Sequence, residues 1–391
     1  MLKNKFSLLI IVAFFAALFG NVETMAQTSS VFVVGLKAPA KIIYAPQQDF
    51  FLVSEAGIAS VPNSGRISII TDDGSRYTLI DGLPSGPGAT NGASLGPSAL
   101  WLDGDSLYIA IGNGNATVRG PVPGTEIPNP NPNSPIFSSV LEYSFPPNFF
   151  RRGRFGYELS VSDHRRLANG ETLFLGGIRR QNTTLRLAAN FPDFTPEPRP
   201  DVPNNVRPSN PFGLVGIGNR LYMADAGQNN IQTANLRNGR TQVFFAYPPR
   251  ANPSLTPPEV EAVPSGLRLC GNKLLVTFLT GFPFPAGVAD VRQIDLQTGD
   301  ESQLIGGLRM TIDVLPIPDE GFCQAFYTLE YMSSAMTPAS GRIQHFSSLG
   351  GQPTVIVNNL AMPTGMALHP NGDLLVTETF AGRITRISNI P

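Results

Sequence analysis

Four acidic residues, Glu55, Asp225, Glu330 and Glu378, recur at one position of a repeated sequence plan, and Ile111 and Phe278 hold that position in two further copies. Each closes the second of two short apolar stretches. Carboxylates brought from several repeats onto one face would form an oxygen-rich ring, and such a ring suits Ca²⁺ or another divalent cation, which takes six to eight oxygen ligands. A cation held there could polarise an ester carbonyl for hydrolysis. The same acids have a plainer duty open to them. An acid after a hairpin strand commonly accepts backbone N–H bonds of its own turn or pairs with a nearby arginine, as Glu378 could with Arg383.

Other chemistry is sparser. Phe282 and Phe284, set between prolines in Gly281-Phe282-Pro283-Phe284-Pro285, could form a rigid aromatic platform for a ligand or could fold back onto their own repeat. Arg151, Arg152 and Arg154 begin a basic stretch from Pro147 to Leu187, where eight arginines face three acids. That stretch could dock an anionic surface such as a polysaccharide or phospholipid headgroups, or could simply be a solvated hairpin. Cys270 and Cys323 are the two cysteines, 53 residues apart, and could close a disulfide if their Cα atoms come within about 7 Å. Three histidines, none with a second His or Cys at ligand spacing, argue against a His/Cys metal centre. No G-x-S-x-G nucleophile signature occurs, and the glycines sit in turns rather than in a phosphate-binding loop.

Charge narrows the partners. The 391 residues carry 28 basic and 29 acidic side chains, for a net charge of −1, which excludes a charge-driven nucleic-acid binder. Charged residues are 15% of the chain and hydrophobic ones 42%, ample for a core. The 39 glycines and 36 prolines point to many tight turns between short elements.

Residues Met1 to Ala26 read as a secretory signal peptide: Lys3 and Lys5, an apolar run from Phe6 to Phe19, then Thr24 and Ala26 before a cut at Gln27. The alternative, an uncleaved anchor, needs a run of about 20 residues. The mature chain, 27–391, is expected to be exported to the periplasm or the medium, without a membrane span and as a monomer.

The elements that must position these residues come from a repeat of about fifty residues. Its copies include GPSALWLDGDSLYIAIGNG from Gly96, NPFGLVGIGNRLYMADAG from Asn210, VPSGLRLCGNKLLVTFLTG from Val263 and MPTGMALHPNGDLLVTETF from Met362, with weaker copies from Ala38 and Met310. Alternating stretches such as RISIIT from Arg66 and RITRIS from Arg383 follow. Period-two patterns bounded by Gly and Asn turns are strands and hairpins. Four strands per fifty residues make one blade, so the expected fold is an all-β, six-bladed β-propeller.

The 114-residue interval between Pro97 and Pro211 could hide a seventh blade. Instead, Ser138 to Phe145 and Thr184 to Ala188 supply the third and fourth strands of blade two. Pro147 to Thr183 then becomes an insertion, with a short helix capped by Ser162 and ended by Gly170. The last repeat lacks an outer strand, and Val31 to Val34 is expected to fill that place, closing the ring.

The copies NPFGL…LYMADAG, VPSGLRL…LLVTFLTGFPFPAG, MTIDVLPI…FYTLEY and MPTGMALHPNGDLLVTE, in that order, resemble the ScyD/ScyE family, itself similar to NHL-type six-bladed propellers. The resemblance covers nearly all of the mature chain. It implies an exported propeller, and the family has no agreed catalytic residues to carry over. The leading expectation is a binding or scaffold module for a small molecule, polysaccharide or protein at one propeller face. The alternative is a metal-dependent, lactonase-like hydrolase, to which metal-dependent lactonase propellers lend a resemblance.

Overall fold

Each repeat opens with a strand at the same register: Pro39–Ala45, Pro97–Asp103, Pro211–Ile217, Pro264–Cys270, Thr311–Pro316 and Pro363–Leu368. Five of the six begin with proline, which lacks a backbone N–H and is tolerated at the first residue of a strand. In the computed structural model, which describes residues 27–146, 156–175, 183–254, 256–317, 323–334 and 337–391, these strands are the innermost of six antiparallel blades. Each inner strand carries a β-bulge within its first four residues. A bulge adds local twist and bends the strand away from straight pairing.

Blade three shows the plan without additions: Pro211–Ile217, Arg220–Asp225, Asn230–Asn235 and Thr241–Ala246 pair in chain order. Blade six is completed from the other end of the described chain. Thr28–Val34 pairs antiparallel with Arg383–Ser388, Val33 opposite Ile384, so the first strand is the outer strand of the last blade. The closing strand is three residues longer than the stretch expected from apolarity, because Thr28, Ser29 and Ser30 lie on a solvated edge and carry no hydrophobic signal.

Apolar side chains fill the gaps between blades. Ile42, Phe51, Ile70, Leu375, Ile384 and Val33 make one cluster across the junction of blades six and one. Near the channel the packing is closer than any side chain allows. A Cβ on Gly365 would lie 2.8 Å from Ala40 O, and one on Gly266 would lie 2.6 Å from Ile312 O. Glycine there lets neighbouring inner strands touch backbone to backbone.

The stretch 147–183 expected as an insertion is described over 156–175. Tyr157–Glu158 adds to the outer strand of blade one in parallel, and Leu173–Phe174 adds to the outer strand of blade two. Between them the helix Val161–Ala168 is capped by Ser160 rather than Ser162, with Asp163 returning the bond in a capping box. The cap falls two residues earlier because Ser160 has Asp163 three positions on, where Ser162 has Arg165. Gly170, at φ +82°, follows the helix end. Arg151, Arg152 and Arg154 lie outside the described residues, as do residues 1–26 and the expected cleavage site.

His164 ties this helix to blade one: it is fully buried, and its Nε2–H donates to Gly82 O at 2.8 Å. Burial lowers the imidazole pKa, outweighing the Gly82 bond and the nearby Asp163. A folded value below the unfolded value of about 6.5 means that this stability is complete above about pH 6.5 and declines as pH falls toward the folded value. Hydrogen-exchange protection of residues 156–175, relative to the intrinsic rate at each pH, should therefore fall in mild acid. His164→Gln, which keeps the donor and does not titrate, should flatten that response, and an identical pH profile in both proteins would exclude the role.

Candidate functional site

The four acids occupy the last position of the second strand in their blades. All four are fully buried, and so are Ile111 and Phe278 at the matching positions. The ring at the channel mouth does not form; the acids take the plainer duty, Glu378 pairing with Arg383 as expected, with a separate anchor in each of four blades. Glu378 accepts from Arg383 Nε and Nη2 at 2.7 and 3.0 Å, from Ala361 N at 2.6 Å and from Thr385 Oγ1. Glu55 accepts from Arg66 Nε and Nη2 at 2.9 and 2.6 Å, from Lys37 N at 2.5 Å and from Ser68 Oγ. Glu330 takes Arg342 and Arg309 N in the same way.

The geometry explains the repeat. Lys37, Arg309 and Ala361 each stand two residues before an inner strand, so each carboxylate holds the incoming crossover against its own blade. Burial would raise the Glu378 pKa, but the Arg383, Thr385 and Ala361 bonds outweigh it and hold the carboxyl below its usual range. Blade three departs from this pattern. Asn230 stands where the others have arginine, and Asp225 is served by Ser209 Oγ, Asn210 N, Gly227 N, Gln228 N and Gln232 Nε2. Without a cation beside it, burial pushes the Asp225 pKa up. Among the described residues no three His, Cys, Asp or Glu side chains gather as a metal would need.

The channel mouth has a different chemistry. All six blades contribute to a cavity of about 410 Å³, which must therefore lie on the propeller axis. Its wall includes Phe212, Leu279, Phe284, Met310, Ile312 and Tyr331, and no charged side chain among the described residues lines it. Asn210, Phe212 and Ser265, from the connections into the inner strands, share that wall with Phe284. The aromatic pair divides: Phe284 lines the cavity, while Phe282 is 70% exposed and outside it, with the two rings edge to face at 5.9 Å. A hairpin between blades one and two, Gly86–Pro87 paired with Ser94–Leu95, adds Asn91, Ala93, Ser94 and Leu95 over the rim.

One residue along from the wall lies a charged cluster that strand patterning does not announce. Ala40 and Ile312 line the cavity, and the residues after them, Lys41 and Asp313, meet across the channel at 2.8 Å. Their positions are held by Ala99, Gly213, Gly266 and Gly365 in the other four blades. That substitution of charge for glycine was the available signal. At the opposite end of the inner strands, Cys270 and Cys323 form a disulfide between blades four and five, with Cα atoms 6.2 Å apart.

No protein-family model matches the chain, and no curated protein matches it. Solved structures do. A soluble aldose sugar dehydrogenase from Escherichia coli is similar with a TM-score of 0.51 at 11% identity, over 93% of this chain and 100% of that one. An auxiliary nutrient binding protein from Bacteroides thetaiotaomicron is similar with a TM-score of 0.51 at 9% identity, over 93% of this chain and 76% of that one. Identities this low speak for the fold alone. The chain is a six-bladed β-propeller whose last blade is completed by Thr28–Val34, with a cup at one end of its channel whose described lining carries no charged side chain.

Proposed function

We propose that this protein is an exported binding module whose cup receives a small ligand with an apolar body. The observation that carries this reading is the convergence of all six blades on one cavity of about 410 Å³ walled by aliphatic, aromatic and methionine side chains. Small-molecule sites are concave, largely apolar and roughly 300–1,000 Å³ in volume. Methionine adapts its shape to varied ligands, and Met310, Met332 and Met362 all reach the wall. Export is supported by the Cys270–Cys323 disulfide, since such bonds persist in oxidising compartments. Binding is favoured over hydrolysis because the four buried acids are engaged within their own blades and none lines the cup.

Nile red, an uncharged apolar dye, provides the test. It should bind saturably, and Phe284→Ala should weaken binding about tenfold, which corresponds to about 1.4 kcal/mol of lost contact. Phe282→Ala, outside the cavity, should leave the affinity unchanged. Absence of saturable binding, or binding untouched by both Phe284→Ala and Phe212→Ala, would overturn the proposal.

A further inference from the structure

Three charged side chains cross the channel below the cup. Lys41 belongs to the inner strand of blade one, Arg268 to that of blade four and Asp313 to that of blade five. Blade six stands between blades five and one, so the Lys41 side chain must span the lumen to reach Asp313 Oδ2 at 2.8 Å. Arg268 grips the same carboxylate with Nε on Oδ1 at 3.0 Å and Nη2 on Oδ2 at 2.7 Å, and Nη2 also donates to Met366 O at 2.6 Å. Blade six closes the set through Met366 N, which donates to Asp313 Oδ2 at 3.1 Å.

The account of charges and donors does not balance. Asp313 is fully buried and accepts from Lys41, from both Arg268 nitrogens, from Met366 N and at Oδ1 from Val314 N. Its lone pairs are taken. Two cations share this one carboxylate, leaving a formal charge of +1 on the cluster among the described residues. On the cationic side, Arg268 Nη1 and the remaining Lys41 N–H groups meet no acceptor among the described residues. The Lys41 and Arg268 side chains keep 10% and 17% exposure, so solvent-sized species reach them. An uncompensated buried charge is costly, and the arrangements that persist pair it or hydrogen-bond it.

We infer that Lys41 and Arg268 form a site for a small monovalent anion of carboxylate type, bound on the side of the two cations away from Asp313. Such an anion would accept the idle donors and bring the cluster to neutrality. Charge-assisted bonds from a guanidinium and an ammonium are strong, and the guanidinium fork matches a carboxylate. The site follows from the charge and the idle donors of the cluster and stands independently of what occupies the cup. Burial and the neighbouring Arg268 push the Lys41 pKa down to about 8, against the opposing pull of Asp313. The groups facing its Nζ are Asp313 and Arg268; blade six presents only backbone, and Ser54 of blade one bonds the Lys41 backbone N–H.

Calorimetric titration with sodium acetate at constant ionic strength tests the site in the folded, mature protein. Saturable binding is expected near neutral pH, weakening about tenfold or more by about pH 9.5 as Lys41 loses its proton. Lys41→Arg should bind acetate at both pH values, since its guanidinium does not titrate there. Lys41→Met should lose binding, because Arg268 and Asp313 then neutralise each other. If Lys41→Met fails to fold, Arg268→Met takes its place with the same expected loss. Absence of acetate binding by the wild type, or equal binding in the methionine variant, overturns the inference. Octanoate separates the two sources of a carboxylate: binding tighter than acetate and weakened by Phe284→Ala assigns it to the head of a cup ligand, and equal binding assigns it to a free anion.

Discussion

Removal of Thr28–Val34 is expected to lower the melting temperature of the whole propeller and to leave much of the protein unfolded at growth temperature. This strand is the outer member of blade six, paired along Arg383–Ser388. Val33 is buried in the cluster that joins blades six and one, and Phe32 packs beneath the Arg386 guanidinium at 4.1 Å. Losing two such side chains costs roughly 1.5–3 kcal/mol each. Each ladder hydrogen bond lost adds about 0.5–1.5 kcal/mol. Against a total stability of about 5–15 kcal/mol, the sum is a large fraction. The newly open edge of Arg383–Ser388 would also present unpaired backbone to other chains. Thermal unfolding followed by circular dichroism measures the effect, and an unchanged midpoint would mean that the ring closes without this strand.

Asp313→Ala should be the most damaging single substitution in the channel, costing about 3–5 kcal/mol, the usual loss when one partner of a buried ion pair is removed. It leaves Lys41 and Arg268 facing each other with no counter-charge from the protein. Adding Lys41→Met to Asp313→Ala should restore part of the loss, because one of the two stranded cations is removed. A double-mutant cycle in denaturant reads this coupling, and strictly additive losses would show that the three groups do not act together. The solvent-exposed pair Arg166–Glu171 is the useful contrast, since water screens it and its loss should barely move the stability. The pH dependence has a definite sign. Burial acts to raise the Asp313 pKa, but Arg268 and Lys41 outweigh it and hold the carboxyl below its ordinary value. The stabilisation is therefore complete above the unfolded carboxylate pKa and is lost as pH falls through the folded value.

Much of the architecture was legible in the chain because it rests on local rules. Prolines or threonine at Pro39, Pro97, Pro211, Pro264, Thr311 and Pro363 mark strand starts, and period-two runs between Gly and Asn turns mark hairpins. Counting those marks leads to six blades. The missing outer strand at Arg383–Ser388 points to Val31–Val34 as its complement, since an unpaired edge is the one thing a ring must remove. The face that carries Asn210, Phe212, Ser265 and Phe284 obeys the same local logic: a strand pair that starts on one face returns there.

What the acids do was decided elsewhere. Spacing places Glu55, Asp225, Glu330 and Glu378 at equivalent strand ends, but only the packing of blades shows that this position is buried, so the carboxylates meet Arg66, Arg342 and Arg383 rather than one another. The helix cap moved from Ser162 to Ser160 because reciprocal bonding with Asp163 outweighs a serine beside the helical run. Lys41 and Asp313 lie 272 residues apart, and nothing local relates them. They become neighbours only when the ring closes and sets blade one across the channel from blade five. Patterning along a chain encodes which strands form and which face is buried; contacts across the axis depend on closure, a property of all six blades at once.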